Sequence, residues 1–305
     1  MKSTLSFPRR RESTWVPAFA GTTKLVFDLF KLRIGFAIAL TAAAGVAVTP
    51  GAAGGGTVAA IVLAVLVASA AAGAFNQYVE ADLDRAMART RARAFVTGRL
   101  ERGPKWLVLI VALVVAATAA AAWLANPWAA LYTFLGAFFY GVVYTVWLKR
   151  RTAMNIVIGG LAGSFAVLAG AAAVSPSAAL GPLPLAFAWI LFLWTPPHFW
   201  SLAIACRDDY ERAGVPMLPV VRGDAYAARA VLAGAVLLVA STMIPLVFGM
   251  GLVYAVGAGA GGALFLRAAW VLARDPGKDT ARASFRASLV QLSFLLTAAI
   301  ADRLA

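Results

Sequence analysis

Asn76, Glu80 and Asp84 recur at every fourth position directly after a long apolar run. On a helix their side chains share one face over about two turns. Glu80 and Asp84 are like charges at i,i+4, a spacing that destabilises a helix unless a cation sits between them. A solvated surface helix would carry Lys or Arg four residues after Glu80; this chain carries a second acid. An amide oxygen and two carboxylates at the mouth of a membrane span suit Mg²⁺ with a diphosphate, because that ion takes few carboxylates and fills its other positions with water and phosphate. Arg89, Thr90, Arg91 and Arg93 follow, and guanidinium groups match phosphate oxygens. A polar loop that merely ends a helix accounts for the same residues. Spacing leaves both readings open, although acids at a membrane mouth are functional candidates by default.

A second acidic stretch, Asp208-Asp209-Tyr210-Glu211, closes a later apolar segment. Two acidic clusters on one membrane face can hold two divalent ions around one diphosphate and neutralise a leaving group. The plain alternative is an exposed loop in which Arg207 and Arg212 balance the acids. A four-residue acidic repeat fails here, since Arg212 and Ala213 occupy the fourth positions. A third group comprises Tyr140, Tyr144, Lys149, Arg150, Thr152 and Asn155. Lys149 and Arg150 suit diphosphate, and the tyrosine faces suit an allylic cation, an interaction worth roughly 2 kcal/mol when desolvated. An interfacial aromatic belt with snorkelling bases is the competing account, and the simpler one for the tyrosines. His198, the one histidine, either bonds a neighbouring helix or faces a porphyrin as ligand or proton-transfer group; for a lone histidine the first is the ordinary outcome.

The elements that must carry these residues are membrane spans. The chain has 305 residues, 62% of them hydrophobic, and a mean hydropathy of +0.83, the composition of an integral membrane protein. A net charge of +14 does not point to nucleic acid, because the charges cluster between long charge-free blocks. The single cysteine, Cys206, excludes an internal disulfide, and one Cys with one His cannot make a zinc site. A Ser-His-Asp triad would have to use His198, and its neighbours do not suggest one.

Residues 1–23 are polar, basic and proline-containing, without an apolar stretch long enough for a signal peptide. They are expected to be a disordered cytoplasmic lead to a single transmembrane domain, 24–305. Charge-free blocks at 34–79, 106–148, 152–206 and 230–266 each fit two spans, broken by Pro or Gly near 50, 126, 178 and 250. A closing span is predicted at 284–300. The expected fold is all-α with nine transmembrane helices. All basic clusters fall on one side and the intervening turns hold no Lys or Arg, so the N-terminus is predicted cytoplasmic and the C-terminus opposite. Continuous rather than alternating runs argue against a β-barrel.

Three motifs carry a resemblance over about residues 24–303: NQYVEADLDRAMARTRAR (76–93), YTVWLKRRTAMNIVIGG (144–160) and WTPPHFWSLAIACRDDYERAGVPMLPV (194–220). The chain resembles the UbiA-type intramembrane prenyltransferase superfamily, and the last motif resembles its haem-modifying branch, the protoheme IX farnesyltransferases. The resemblance implies a bundle whose cavity opens to the cytoplasm between the loops after the second, fourth, sixth and eighth helices, in the inner membrane of a bacterium. It implies farnesyl diphosphate as donor, haem B as acceptor, haem O as product and Mg²⁺ as cofactor. By the same likeness, Asn76, Glu80, Asp84, Asp208 and Asp209 serve Mg²⁺-diphosphate. Arg89, Arg93, Lys149 and Arg150 contact phosphate, with Tyr140, Tyr144 and Asn155 lining the pocket and His198 near the porphyrin. Membrane lipid surrounds the enzyme, and a haem A synthase or terminal oxidase is a candidate partner. Leu32, Ala94 and the Ala166-Val167 pair stand where the family usually has proline, and the last departure leaves the acceptor less certain than the reaction type. A quinone precursor or a chlorophyll-type tetrapyrrole is the alternative acceptor. A transporter fits less well, because its acids would lie near the midplane.

Overall fold

Each charge-free block folds as a pair of helices that part at its Pro or Gly. The computed structural model describes residues 18–305, with side chains from residue 23 onward; residues 1–17 of the expected lead lie outside the described residues. The chain enters as α1 (Ala18–Leu29) and bends by 57° into α2 (Leu32–Val48). Lys31 makes the bend in the left-handed region (φ 48°, ψ 42°), a conformation that non-glycine residues rarely adopt. Gln77 holds the corner by donating to the carbonyls of Asp28 (2.6 Å) and Leu29 (3.0 Å), which have no partner inside their own helix.

The Pro50-Gly51 break leads into α3 (Gly55–Val79), followed by two short helices, α4 (Ala81–Ala86) and α5 (Ala94–Thr97). Next come α6 (Pro104–Leu124) and α7 (Pro127–Phe138). Asn126 separates them as an N-cap, its side-chain oxygen accepting from the N–H groups of Trp128 and Ala129 at 3.0 Å, with Pro127 at the first helical position. The α7 axis continues as a π-helix through Phe139–Leu148. Then follow α8 (Asn155–Gly159), α9 (Leu161–Val174), α10 (Pro182–Ala205), α11 (Arg207–Arg212) and α12 (Leu218–Arg222). The last part is α13 (Asp224–Ser241), α14 (Ile244–Val247), α15 (Leu252–Arg274) and α16 (Lys278–Leu304).

Among the described residues, eight helices are long and apolar enough to cross a membrane, and the bent α1–α2 pair makes a ninth. That agrees with the nine expected helices; no strand occurs among the described residues. The closing helix is longer than expected, because Lys278, Asp279 and Arg282 add charged turns that extend past its apolar window. Large apolar side chains such as Trp123 and Val108 lie on the outside, as a lipid-facing surface requires. Inside, small residues let helices touch. A Cβ on Gly45 would strike the Val167 carbonyl, and one on Gly170 would strike the Ala42 carbonyl, so α2 and α9 meet backbone to backbone. Ala166 and Val167 are therefore buried in this helix seam.

Candidate active site

α3 formally ends at Val79, yet its hydrogen bonds run on: Glu80 N–H donates to the Asn76 carbonyl (3.0 Å) and Asp84 N–H to the Glu80 carbonyl (2.8 Å). The helical path across the α3–α4 junction keeps Asn76, Glu80 and Asp84 in one row, and all three are buried. Each is met by a cation from a different part of the chain. Lys31 Nζ lies 2.5 Å from Asn76 Oδ1, Lys149 Nζ 2.6 Å from Glu80 Oε2, and Arg93 Nη1 2.8 and 2.6 Å from the two Asp84 oxygens. The like-charge pair that no local cation relieves is thus relieved from the α1–α2 corner, the end of the π-helix and the loop after α4.

The π-helix sets the opposite wall. Its i→i+5 bonding, seen where Lys149 N–H donates to the Tyr144 carbonyl at 2.9 Å, brings residues four to five apart onto one side. Tyr140, Tyr144 and Lys149 consequently face the row together. The two rings stack with centroids 5.7 Å apart, and Lys149 Nζ stands 5.7 Å above the Tyr144 ring. Tyr140 OH accepts from Lys31 Nζ at 3.0 Å, and Asn76 Nδ2 donates to Thr145 Oγ1 at 3.1 Å. These tyrosines turn inward rather than forming a belt against lipid.

Other expected residues have different surroundings. Arg150 forks onto Asp82, both bonds 2.9 Å, on the exposed side of α4; its hydrogen bond holds the Asp82 carboxyl below the usual range. Asn155 is buried, donating to the Thr152 carbonyl at 2.5 Å, while its Oδ1 finds no partner. Asp208 and Asp209 diverge. Asp209 is buried and accepts from the backbone N–H groups of Ala88 (3.0 Å) and Arg89 (3.1 Å), and from Arg212. Burial pushes its carboxyl up, but these donors outweigh burial and hold it below the ordinary value. The two acidic stretches meet there, through the loop that follows Asp84. Asp208 is exposed and pairs with Lys278 at 2.6 Å.

His198 lies in α10 with its ring between those of Trp194 (4.1 Å) and Phe285 (4.5 Å), and its Nδ1 is 2.7 Å from Ser288 Oγ. α10 runs through Pro196 and Pro197 without breaking, the Ser201 hydroxyl bonding back to the Pro197 carbonyl at 2.8 Å. Sequence reasoning missed Lys31, Thr145, Asp82 and Ser288. Lys31 had a signal, as one of the two cations, with Arg33, that flank the Leu32 departure. Ser288 had none, because its significance depends on how α16 packs.

Among the described residues no three His, Cys, Asp or Glu side chains converge as a complete metal cage. The row fits Mg²⁺ nonetheless, because this ion binds through one or two carboxylates plus substrate phosphate. Glu80 Oε1 is buried without a partner, an orphaned acceptor that a cation would satisfy.

A model of the UbiA prenyltransferase family matches residues 37–294. The chain is 55% identical over 282 residues to protoheme IX farnesyltransferase 2 of Paramagnetospirillum magneticum, covering 92% of this chain and 97% of that one. It is 39% identical to the protoheme IX farnesyltransferase of Granulibacter bethesdensis, covering 95% and 94%. Among solved structures, a digeranylgeranylglyceryl phosphate synthase superposes with a TM-score of 0.73 at 16% identity, covering 93% of this chain and 99% of the other. An Archaeoglobus fulgidus UbiA homologue bound to DMAPP and Mg²⁺ gives 0.67 at 16%, covering 90% and 99%. At such identities the last two likenesses concern the fold.

Proposed function

The chain belongs to the UbiA prenyltransferase family, and from that premise we infer that it transfers the farnesyl group of farnesyl diphosphate to a vinyl group of haem B, giving haem O. The relatives named above carry the acceptor assignment. The observation that carries the reaction type is the buried row Asn76-Glu80-Asp84 interleaved with Lys31, Lys149 and Arg93. Each base lies where it can leave its carboxylate or amide for a phosphate oxygen, freeing the acceptors beside it.

Asn76, Glu80 and Asp84 would hold Mg²⁺, which when bound would neutralise charge on the departing diphosphate. The cations stabilise the same charge as the C1–O bond ionises. The stacked Tyr140 and Tyr144 present their faces to the allylic cation, and the buried walls keep water from capturing it early. Asp209 fixes the backbone at Ala88 and Arg89, positioning the loop between Asp84 and Arg93. Arg89 and Asn155 are assigned to substrate contact, and Arg150 and Asp208 to the outer rim, where a second ion would require Asp208 to leave Lys278. His198 supports the acceptor side.

The protein is an integral membrane protein. The site is proposed to open to the cytoplasm of a bacterial inner membrane, because the basic loops share its end of the bundle. Haem O released within a bilayer has no easy aqueous exit, which makes a haem A synthase or terminal oxidase in that membrane its proposed recipient. Membranes containing the protein, given haem B, farnesyl diphosphate and Mg²⁺, are expected to yield a product with the mass of haem O. Farnesylation of a quinone precursor with haem B left unchanged would overturn the acceptor assignment.

A further inference from the structure

Beside Asp209, a cavity of about 570 Å³ opens between the Ala88-Arg89 loop and the first turns of α16, a volume typical of ligand pockets. Five cations line it, Arg89, Arg212, Lys278, Arg282 and Arg286, against two carboxylates, Asp208 and Asp209, with Leu202 and Phe285 in its apolar wall. Three of these cations have spent their charge, Arg212 on Asp209, Lys278 on Asp208 and Arg282 on Asp279 (3.0 Å). Arg89 and Arg286 form no salt bridge to a carboxylate within the described residues. A cavity with unbalanced guanidinium groups above an apolar wall suits an amphipathic anion.

We propose that this cavity binds the acceptor through its two carboxylates, with Arg286 and Arg282 taking the propionates of haem B and Phe285 and Leu202 meeting the macrocycle. The proposal rests on haem B being the acceptor. Arg282 and Arg286 stand four residues apart on one helix, so their side chains rise side by side, about 6 Å apart at Cβ. Paired carboxylates from one edge of a flat ring match that spacing, and each can accept a forked guanidinium bond. Arg282 must trade Asp279 for the ligand, an exchange that is easy for an exposed i,i+3 pair. Beneath the rim, Phe285 is the outermost of three stacked rings, Phe285, His198 and Trp194. Ser288 anchors that stack through His198 Nδ1. His198 thus acts one layer behind the cavity wall, as a positioning residue.

The test is haem binding by the full chain in nanodiscs, followed by the Soret band and compared with haem B dimethyl ester, in which both propionates are capped. The wild type should bind haem B about tenfold more tightly than the ester. The Arg282→Gln/Arg286→Gln variant should lose that preference and leave the KM for farnesyl diphosphate unchanged. Equal wild-type affinity for acid and ester would overturn the proposal without any variant. So would a variant that weakens acid and ester equally, or one that raises the KM for farnesyl diphosphate instead. Nanodiscs of phosphatidylcholine and of phosphatidylglycerol should give the same preference; its appearance only without anionic lipid would assign the cavity to lipid headgroups and overturn the haem assignment. The product-mass assay is separate, so failure of haem O synthesis and failure of carboxylate recognition give different results.

Discussion

One guanidinium nitrogen of Arg93 lies within hydrogen-bond distance of both carboxylate oxygens of Asp84, at 2.8 and 2.6 Å. Asp84 is buried and Arg93 partly exposed, so the base can swing toward a substrate while the acid stays in place. Asp84→Asn keeps the shape and an acceptor but loses the charge, and turnover should fall at least about a hundredfold, the scale of losing one electrostatic contact to a developing anion. Insertion and monodispersity, followed by size exclusion, should not change. Undiminished turnover would remove Asp84 from the metal site.

Glu80 and Lys149 form a pair closed from solvent. Removing one member of a buried pair strands the other at a cost of about 3–5 kcal/mol. Lys149→Gln should therefore lower thermal stability markedly, while Glu80→Gln/Lys149→Gln should regain most of it and remain inactive. Recovery of activity together with stability would mean that the pair is structural only.

The stacked tyrosines separate charge stabilisation from hydroxyl chemistry. Tyr144→Phe retains the aromatic face and should keep most of kcat. Tyr144→Leu should lower kcat about thirtyfold, equivalent to roughly 2 kcal/mol of cation–π interaction. Equal loss in both variants would point to the hydroxyl instead.

Asp209 makes loop order depend on pH. Its folded carboxyl is held below the ordinary value by the donors that outweigh its burial, so its contribution is complete above the unfolded value of about 3.9. That contribution is lost as pH falls through the lower folded value. Asp209→Asn should cost about 1–2 kcal/mol at neutral pH, and the gap between variant and wild type should close as pH drops below about 4. Hydrogen exchange at Ala88 and Arg89 reads the same loop; a pH-independent gap would contradict this account.

His198→Ala removes the middle ring of a three-ring stack. Affinity for haem B should weaken several-fold while the KM for farnesyl diphosphate holds. The reverse pattern would detach His198 from the acceptor side.

Hydrophobic block length and the distribution of Lys and Arg were enough to read the helix count and most of the breaks, because a bilayer requires long apolar segments and Pro and Gly end them. The Asn76-Glu80-Asp84 row was legible for a similarly local reason, helical periodicity. What balances that row was not. Arg93 reaches it from the loop just past α4, but Lys31 and Lys149 come from distant segments, and Lys31 does so only because it adopts a left-handed bend. Asp208 and Asp209 are adjacent in sequence, yet one turns out to Lys278 and the other in to the loop after Asp84. Neighbouring side chains on a helix point about 100° apart, so the packing of α11 against that loop, and not their composition, separates their surroundings. The same holds for Ser288 beneath His198 and for the cationic rim on α16. Local pattern fixes which elements form, but the pairing of charges across elements exists only once the helices have packed.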